Sequence, residues 1–206
     1  PTVGVDARFG LGVSCDGPGQ GVVAPDVDLP LEGSSLIVWF NTACEGCGLA
    51  TVARHYLSTT VRDRALYLAD GNVYAAVGPA YEEEVIASTG RNYADGRWHM
   101  LVHTIGARGQ ELYLDGQRAA LGIKTVAHAG AERRSIATLG YAAYADHPNY
   151  EGLIDEALLY GLQLTAEQVS GLYQAWSAFS PDDAGDGVVS STWSRPVPLG
   201  LEGQYQ

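Results

Sequence analysis

The sequence predicts an all-β protein, a two-sheet antiparallel β-sandwich closed by one short C-terminal helix, and three observations predict it. Twenty-six glycines and nine prolines punctuate many short apolar runs, the pattern of strands joined by tight turns. Two Asp-Gly dipeptides sit between alternating apolar segments, where aspartate and glycine tolerate the positive φ of a two-residue hairpin turn. Helical periodicity occurs once only, near the end of the chain.

The elements follow in order. Between Phe9 and Val23 short apolar pieces are broken by Gly10, Gly12, Gly17, Gly19 and Gly21, which predicts two strands joined by the turn Asp16-Gly-Pro-Gly. Ser35-Leu-Ile-Val-Trp-Phe40 is a continuous β-branched and aromatic run, expected of a central strand covered on both faces. Extended structure resumes from Leu49 to Tyr56. Arg64–Leu68 is expected to pair with Val73–Val77 across Asp70-Gly71, and Glu111–Leu114 with Gln117–Leu121 across Asp115-Gly116.

A third Asp-Gly, at 95 and 96, leads into Trp98–Thr104. The strand period of two puts His99, Leu101 and His103 on one face and Trp98, Met100 and Val102 on the other. Two histidines beside a leucine read as buried rings hydrogen-bonded to backbone, in preference to a catalytic or metal role. Ser135–Gly140 and Gly152–Tyr160 are the last strands of the sandwich. Thr165 can cap a helix, Gln168 completes a capping box, and Val169, Leu172, Tyr173 and Trp176 form one apolar stripe.

Residues 1–178 are therefore expected to form the sandwich, and 179–206 a linker and an added strand or the start of a following module. Pro1 at the start, and Leu199–Gln206 stopping in mid-pattern, lead to the expectation of a longer natural protein. A net charge of −12 repels phosphate backbones and anionic lipid, which argues against nucleic acid as a partner and leaves carboxylates for hard cations such as calcium. No apolar run reaches the roughly eighteen residues of a membrane span, so membrane insertion of this segment is not expected. Of three cysteines, Cys44 and Cys47 flank Glu-Gly and read as a disulfide bracing a surface loop in an oxidising compartment, with Cys15 left single. Acid and glycine flank Cys44 and no helix follows, against a thioredoxin-type motif; nothing in the spacing of Cys15 or His55 recommends zinc.

The succession Asp95-Gly-Arg-Trp-His99, Glu111-Leu-Tyr-Leu-Asp-Gly116, Glu151-Gly-Leu-Ile-Asp-Glu156 and Leu164-Thr-Ala-Glu167 before a short helix resembles bacterial laminin G-like jelly-roll domains of the concanavalin A-like superfamily. The likeness spans about residues 9 to 177 and implies the same sandwich. It also implies carbohydrate or protein ligands, an extracellular setting in a secreted or cell-surface protein, and often a structural calcium ion. In related domains the aspartate equivalent to Asp155 faces calcium shared with the N-terminal hairpin, which makes Asp155 and the turn Asp16-Gly17 the metal candidates. Asp63 resembles a further calcium-holding aspartate at the sandwich rim. The alternative has Asp155 accepting backbone hydrogen bonds and Asp16 only forming its turn.

For a ligand, aromatic rings stack on sugars while amide, carboxylate and histidine groups fix hydroxyls. Tyr141, Tyr144, Asp146, His147, Asn149 and Tyr150 gather those groups in one loop, with His55 as a further candidate; a solvated loop whose tyrosines cover the sandwich end fits equally. Glycoside hydrolases of this fold place two carboxylates on one strand face, about 5 Å apart. Here Asp155 and Glu156 are adjacent and should point apart, and Glu82-Glu-Glu84 reads as a solvated charge run. No nucleophile elbow and no phosphate-binding loop occurs. The reading is a non-catalytic binding or adhesion module, with a spacer domain, or less favoured a hydrolase, as alternatives.

Overall fold

The computed structural model describes residues 1–17, 20–28, 33–53, 64–78, 83–126, 134–140 and 149–178. The strands are β1 (Thr2–Ala7), β2 (Gly10–Asp16), β3 (Val22–Asp28), β4 (Gly33–Asn41), β5 (Gly48–Ala53), β6 (Arg64–Ala69), β7 (Asn72–Val77), β8 (Glu84–Ala87), β9 (Trp98–Gly106), β10 (Gly109–Leu114), β11 (Gln117–Leu121), β12 (Arg134–Leu139) and β13 (Glu151–Tyr160), followed by helix α1 (Ala166–Ser177). They form a seven-stranded sheet in the order β1-β2-β13-β4-β9-β10-β11 and a six-stranded sheet in the order β3-β12-β5-β6-β7-β8. All strand pairs are antiparallel. The sandwich expected from the sequence is the fold observed.

Strand alternation divides the apolar residues of β4 between two cores. Leu36, Val38 and Phe40 pack between the sheets with Leu49, Leu66, Leu68, Val73, Ala75, Leu101 and Leu112. Ile37 and Trp39 face outward, and with Met100, Val102 and Tyr113 they are covered by Val169, Leu172 and Trp176 of α1. The run is apolar at every position because the helix covers the face that would otherwise meet solvent. Trp39 stacks on Tyr173 at 5.9 Å and meets Phe9 edge-on at 5.1 Å, while the Arg8 guanidinium lies 4.4 Å over the Trp39 ring. The capping box starts α1 as expected: the Thr165 hydroxyl accepts from Gln168 N, and Gln168 Oε1 accepts from Thr165 N at 2.9 Å.

Both predicted two-residue hairpins form. Asp70 and Gly71 have φ of 49° and 70°, and Asp115 and Gly116 have 51° and 78°, the doubly positive pair of a type I′ turn. The predicted first hairpin does not form. β2 lies in the seven-stranded sheet and β3 in the other, so the segment after Asp16 passes between sheets. The hairpin partner of β2 is β1, through the turn at Arg8 and Phe9; a two-residue turn without Gly or Asn at its centre gave no signal. Asp155 and Glu156 also depart from simple alternation. The β13–β4 register shifts between Asp155 and Leu158, and Glu156 takes φ 44°, a β-bulge that removes strict alternation.

A tyrosine platform on the six-stranded sheet

The hairpin of β6 and β7 sets the candidate binding face. Its turn fixes Ala69 opposite Asn72, and therefore Tyr67 opposite Tyr74. Leu66, Leu68, Val73 and Ala75 enter the core between the sheets, so the two tyrosines stand on the outer face. Their rings stack at 5.1 Å with 8° between planes. Tyr67 is nearly buried and Tyr74 half-buried. Gly48 lies opposite Tyr67 on β5, and Ala87 lies opposite Tyr74 on β8. Asn149 bridges to Gly48. One row across the sheet therefore reads Asn149, Gly48, Tyr67, Tyr74, Ala87: two stacked rings flanked by residues of minimal bulk, with an amide-bearing residue at one end. Tyr67 backs the pair, and the more exposed Tyr74 is the ring that could meet the apolar face of a sugar. The pair was not singled out from the sequence, although the hairpin at Asp70-Gly71 implies its register.

The other predicted residues fall differently. Tyr141, Tyr144, Asp146, His147, His55 and Asp63 lie outside the described residues. Asn149 joins the row. Tyr150 is a correction: it is fully buried, and its hydroxyl proton is shared between Asn41 O at 2.9 Å and Leu153 O at 3.1 Å. Burial drives its pKa well above that of a free phenol. Adjacent to β13, the ring lies in the core between the sheets and has no face to offer a ligand.

The calcium set does not converge among the described residues. Asp155 is buried; Oδ2 accepts from Phe9 N at 2.8 Å and Oδ1 from Glu156 N at 2.8 Å. These bonds tie the β1–β2 turn to the bulge in β13, which is the alternative reading of Asp155. Asp16 is exposed at the opposite end of β2, where it pairs with Glu151 and accepts from the Ser14 hydroxyl at 2.9 Å. Val13 pairs with Ile154, so Asp16 and Asp155 are more than three residue steps apart along the ladder, about 10 Å or more. Gly17 follows Asp16 at φ 120°. No described group of three or more His, Cys, Asp or Glu side chains could hold a metal ion.

Cys44 and Cys47 are both thiols in this structure. Cys44 is half-buried, and Cys47 points into the core with Sγ 3.5 Å from Cys44 O.

The remaining carboxylates with low exposure build the frame. His99 is buried, with Nδ1 2.9 Å from Asp115 Oδ2 and Nε2 3.0 Å from Asp95 Oδ1. Burial alone would lower its pKa, but hydrogen bonds to Asp115 and Asp95 outweigh it and raise the value. His99 is thus clamped between two Asp-Gly turns, and Asp115 also accepts from Met100 N at 3.1 Å. His103 bonds Gln110 Oε1 at 3.1 Å, and burial, followed by the nearby Arg64 charge, pushes its pKa down to about 3. Both histidines are buried as expected, but their partners are side chains where backbone was predicted. Glu84 is not simply solvated: it accepts from Ile123 N and Lys124 N at 2.9 Å and from Gln110 Nε2 at 2.7 Å. Glu111, nearly buried, pairs with Arg108 and Arg118.

Two packed antiparallel sheets, with a stacked tyrosine pair on one outer face, form a jelly-roll β-sandwich. The chain belongs to the concanavalin A-like lectin/glucanases superfamily, whose family model matches residues 16–170. Among curated proteins none matches. Solved structures share the fold. Domain 4 of AbnA, a GH43 extracellular arabinanase from Geobacillus stearothermophilus in complex with arabinotriose, is 21% identical with a TM-score of 0.64, over 84% of this chain and 82% of that one. A Trypanosoma rangeli sialidase is 16% identical with a TM-score of 0.62, over 83% of this chain and 28% of the sialidase. The binding domain of botulinum neurotoxin DC, in complex with rat synaptotagmin II, is 12% identical with a TM-score of 0.56, over 76% of this chain and 40% of that domain. The fold is thus shared by binding domains and by hydrolases.

Proposed function

We propose that this domain is a non-catalytic carbohydrate-binding module of a larger secreted or cell-surface protein, with the Tyr67–Tyr74 row as its ligand face. The stacked pair carries the reading, because Tyr67 holds the more exposed Tyr74 ring upright beside Ala87, and a sugar ring stacks on such an aromatic face. The half-buried Tyr74 presents the ring, and Asn149 contributes an amide at the other end of the row. The commitments of Asp95, Asp115, Asp155, Glu84 and Glu111 to histidine, backbone amides and arginines support a binding role over acid-base chemistry. An arabinotriose-bound domain with this fold supports oligosaccharide as the ligand class. No helix among the described residues is long and apolar enough to cross a membrane.

A glycan array followed by titration calorimetry tests the reading. Saturable binding that Tyr74→Ala weakens by tenfold or more, with unchanged melting temperature, is expected. Absence of saturable binding to any glycan points to a spacer or to a protein ligand. Binding that ignores Tyr74→Ala but disappears with Tyr144→Ala or His147→Ala moves the site to the loop. Turnover of a chromogenic glycoside overturns the non-catalytic part.

A further inference from the structure

We propose that Cys44 and Cys47 form a reversible disulfide, in which Cys44 meets the oxidant and Cys47 closes the bridge. The two residues flank the bend at Glu45 and Gly46 in the loop that carries the chain from β4 in one sheet to β5 in the other. The bend folds the loop back until the Cys47 thiol donates to the Cys44 carbonyl, with Sγ 3.5 Å from the oxygen.

The loop is held in that shape from several directions. The Thr42 hydroxyl accepts from Cys44 N at 2.9 Å, Glu45 O accepts from Gly71 N at 3.1 Å, and Cys47 O accepts from Leu68 N at 2.8 Å. A disulfide needs its two Cβ atoms close and correctly aimed, and a loop pinned at Cys44, Glu45 and Cys47 holds its shape. Cys15 is buried on β2 in the same core as Cys47, and a Cβ at Gly140 would stand 2.5 Å from its sulfur.

Exposure divides the roles. Cys44 is partly accessible, whereas Cys47 is closed off in the core, where burial first and hydrogen bonding to Cys44 second push its thiol up. With a small disulfide such as oxidised glutathione as co-reactant, the Cys44 thiolate attacks one glutathione sulfur. A Cys44–glutathione mixed disulfide forms and one glutathione thiolate leaves. The Cys47 thiolate then attacks the Cys44 sulfur, forming the protein disulfide and expelling the second glutathione. Two protein thiols are oxidised, one glutathione disulfide is reduced to two thiols, and the protons of the two cysteines pass to solvent and the leaving thiolates. Because Cys47 ionises with difficulty, the second step is the slower one and accelerates as pH rises.

The test treats the whole chain with oxidised glutathione, alkylates the remaining thiols and maps peptides by mass spectrometry. The expected wild-type product has lost two hydrogens, carries a Cys44–Cys47 bridge and keeps Cys15 alkylated. Cys15→Ser behaves alike, Cys47→Ser stops with one glutathione on Cys44, and Cys44→Ser acquires none. Three alkylated cysteines in oxidised wild type, a bridge through Cys15, or glutathione found first on Cys47 overturns the proposal. The wild-type map alone decides the pairing, so the result stands even where Cys47→Ser fails to fold.

Discussion

Replacing His99 by glutamine removes an imidazolium held between two carboxylates and leaves Asp95 and Asp115 facing a neutral amide. Two hydrogen bonds to charged partners contribute ~1.5–3 kcal/mol each. Asp95 and Asp115 retain 28% and 17% side-chain exposure, so water can solvate the abandoned carboxylates, and the expected loss is about 2–4 kcal/mol. For a chain of this length that corresponds to a fall in melting temperature of roughly 4–16 °C. The pH dependence gives a sharper signature. His99 has a folded pKa raised above the ordinary 6.5, so its stabilisation is fully present below pH 6.5 and is lost as pH rises through the folded value. Urea denaturation of wild type and His99→Gln between about pH 6 and 9 should show a stability gap that narrows towards the alkaline end. A gap below about 1 kcal/mol, or one constant across that range, refutes the clamp.

Further outcomes follow from the packing of single residues. Gly116→Ala should cost about 1–3 kcal/mol in chemical denaturation, because Gly116 sits at φ 78° and its Cβ would stand 2.8 Å from that of Tyr173 on α1. Tyr150→Phe should lose about 1–2 kcal/mol by leaving the Asn41 and Leu153 carbonyls without their donor, with ligand affinity unchanged. Calcium and chelator should give equal melting temperatures, since Asp155 is spent on Phe9 N and Glu156 N at a distance from Asp16; a clear rise in calcium means that other ligands, Asp63 among them, hold an ion.

Much of the site frame was legible where the chemistry is local. The capping box at Thr165, the Asp-Gly turns and the alternation in β9 depend on residues within a few positions of one another. The Asp155 contact with Phe9, 146 residues away, and the burial of Tyr150 depend on strands that only the sheet order brings together.

What the sequence alone determined is therefore the two-sided apolar run of β4, the I′ hairpins, the helix and its stripe, and through them the all-β sandwich: turn dihedrals and side-chain periods are properties of neighbouring residues. Tertiary structure decided which strand each hairpin joins, that Asp16 and Asp155 lie apart, that Tyr150 is core, and that Gly48, Tyr67, Tyr74 and Ala87 share one row. Those outcomes rest on the order in which distant strands pair and on which sheet covers which face, which no local pattern encodes.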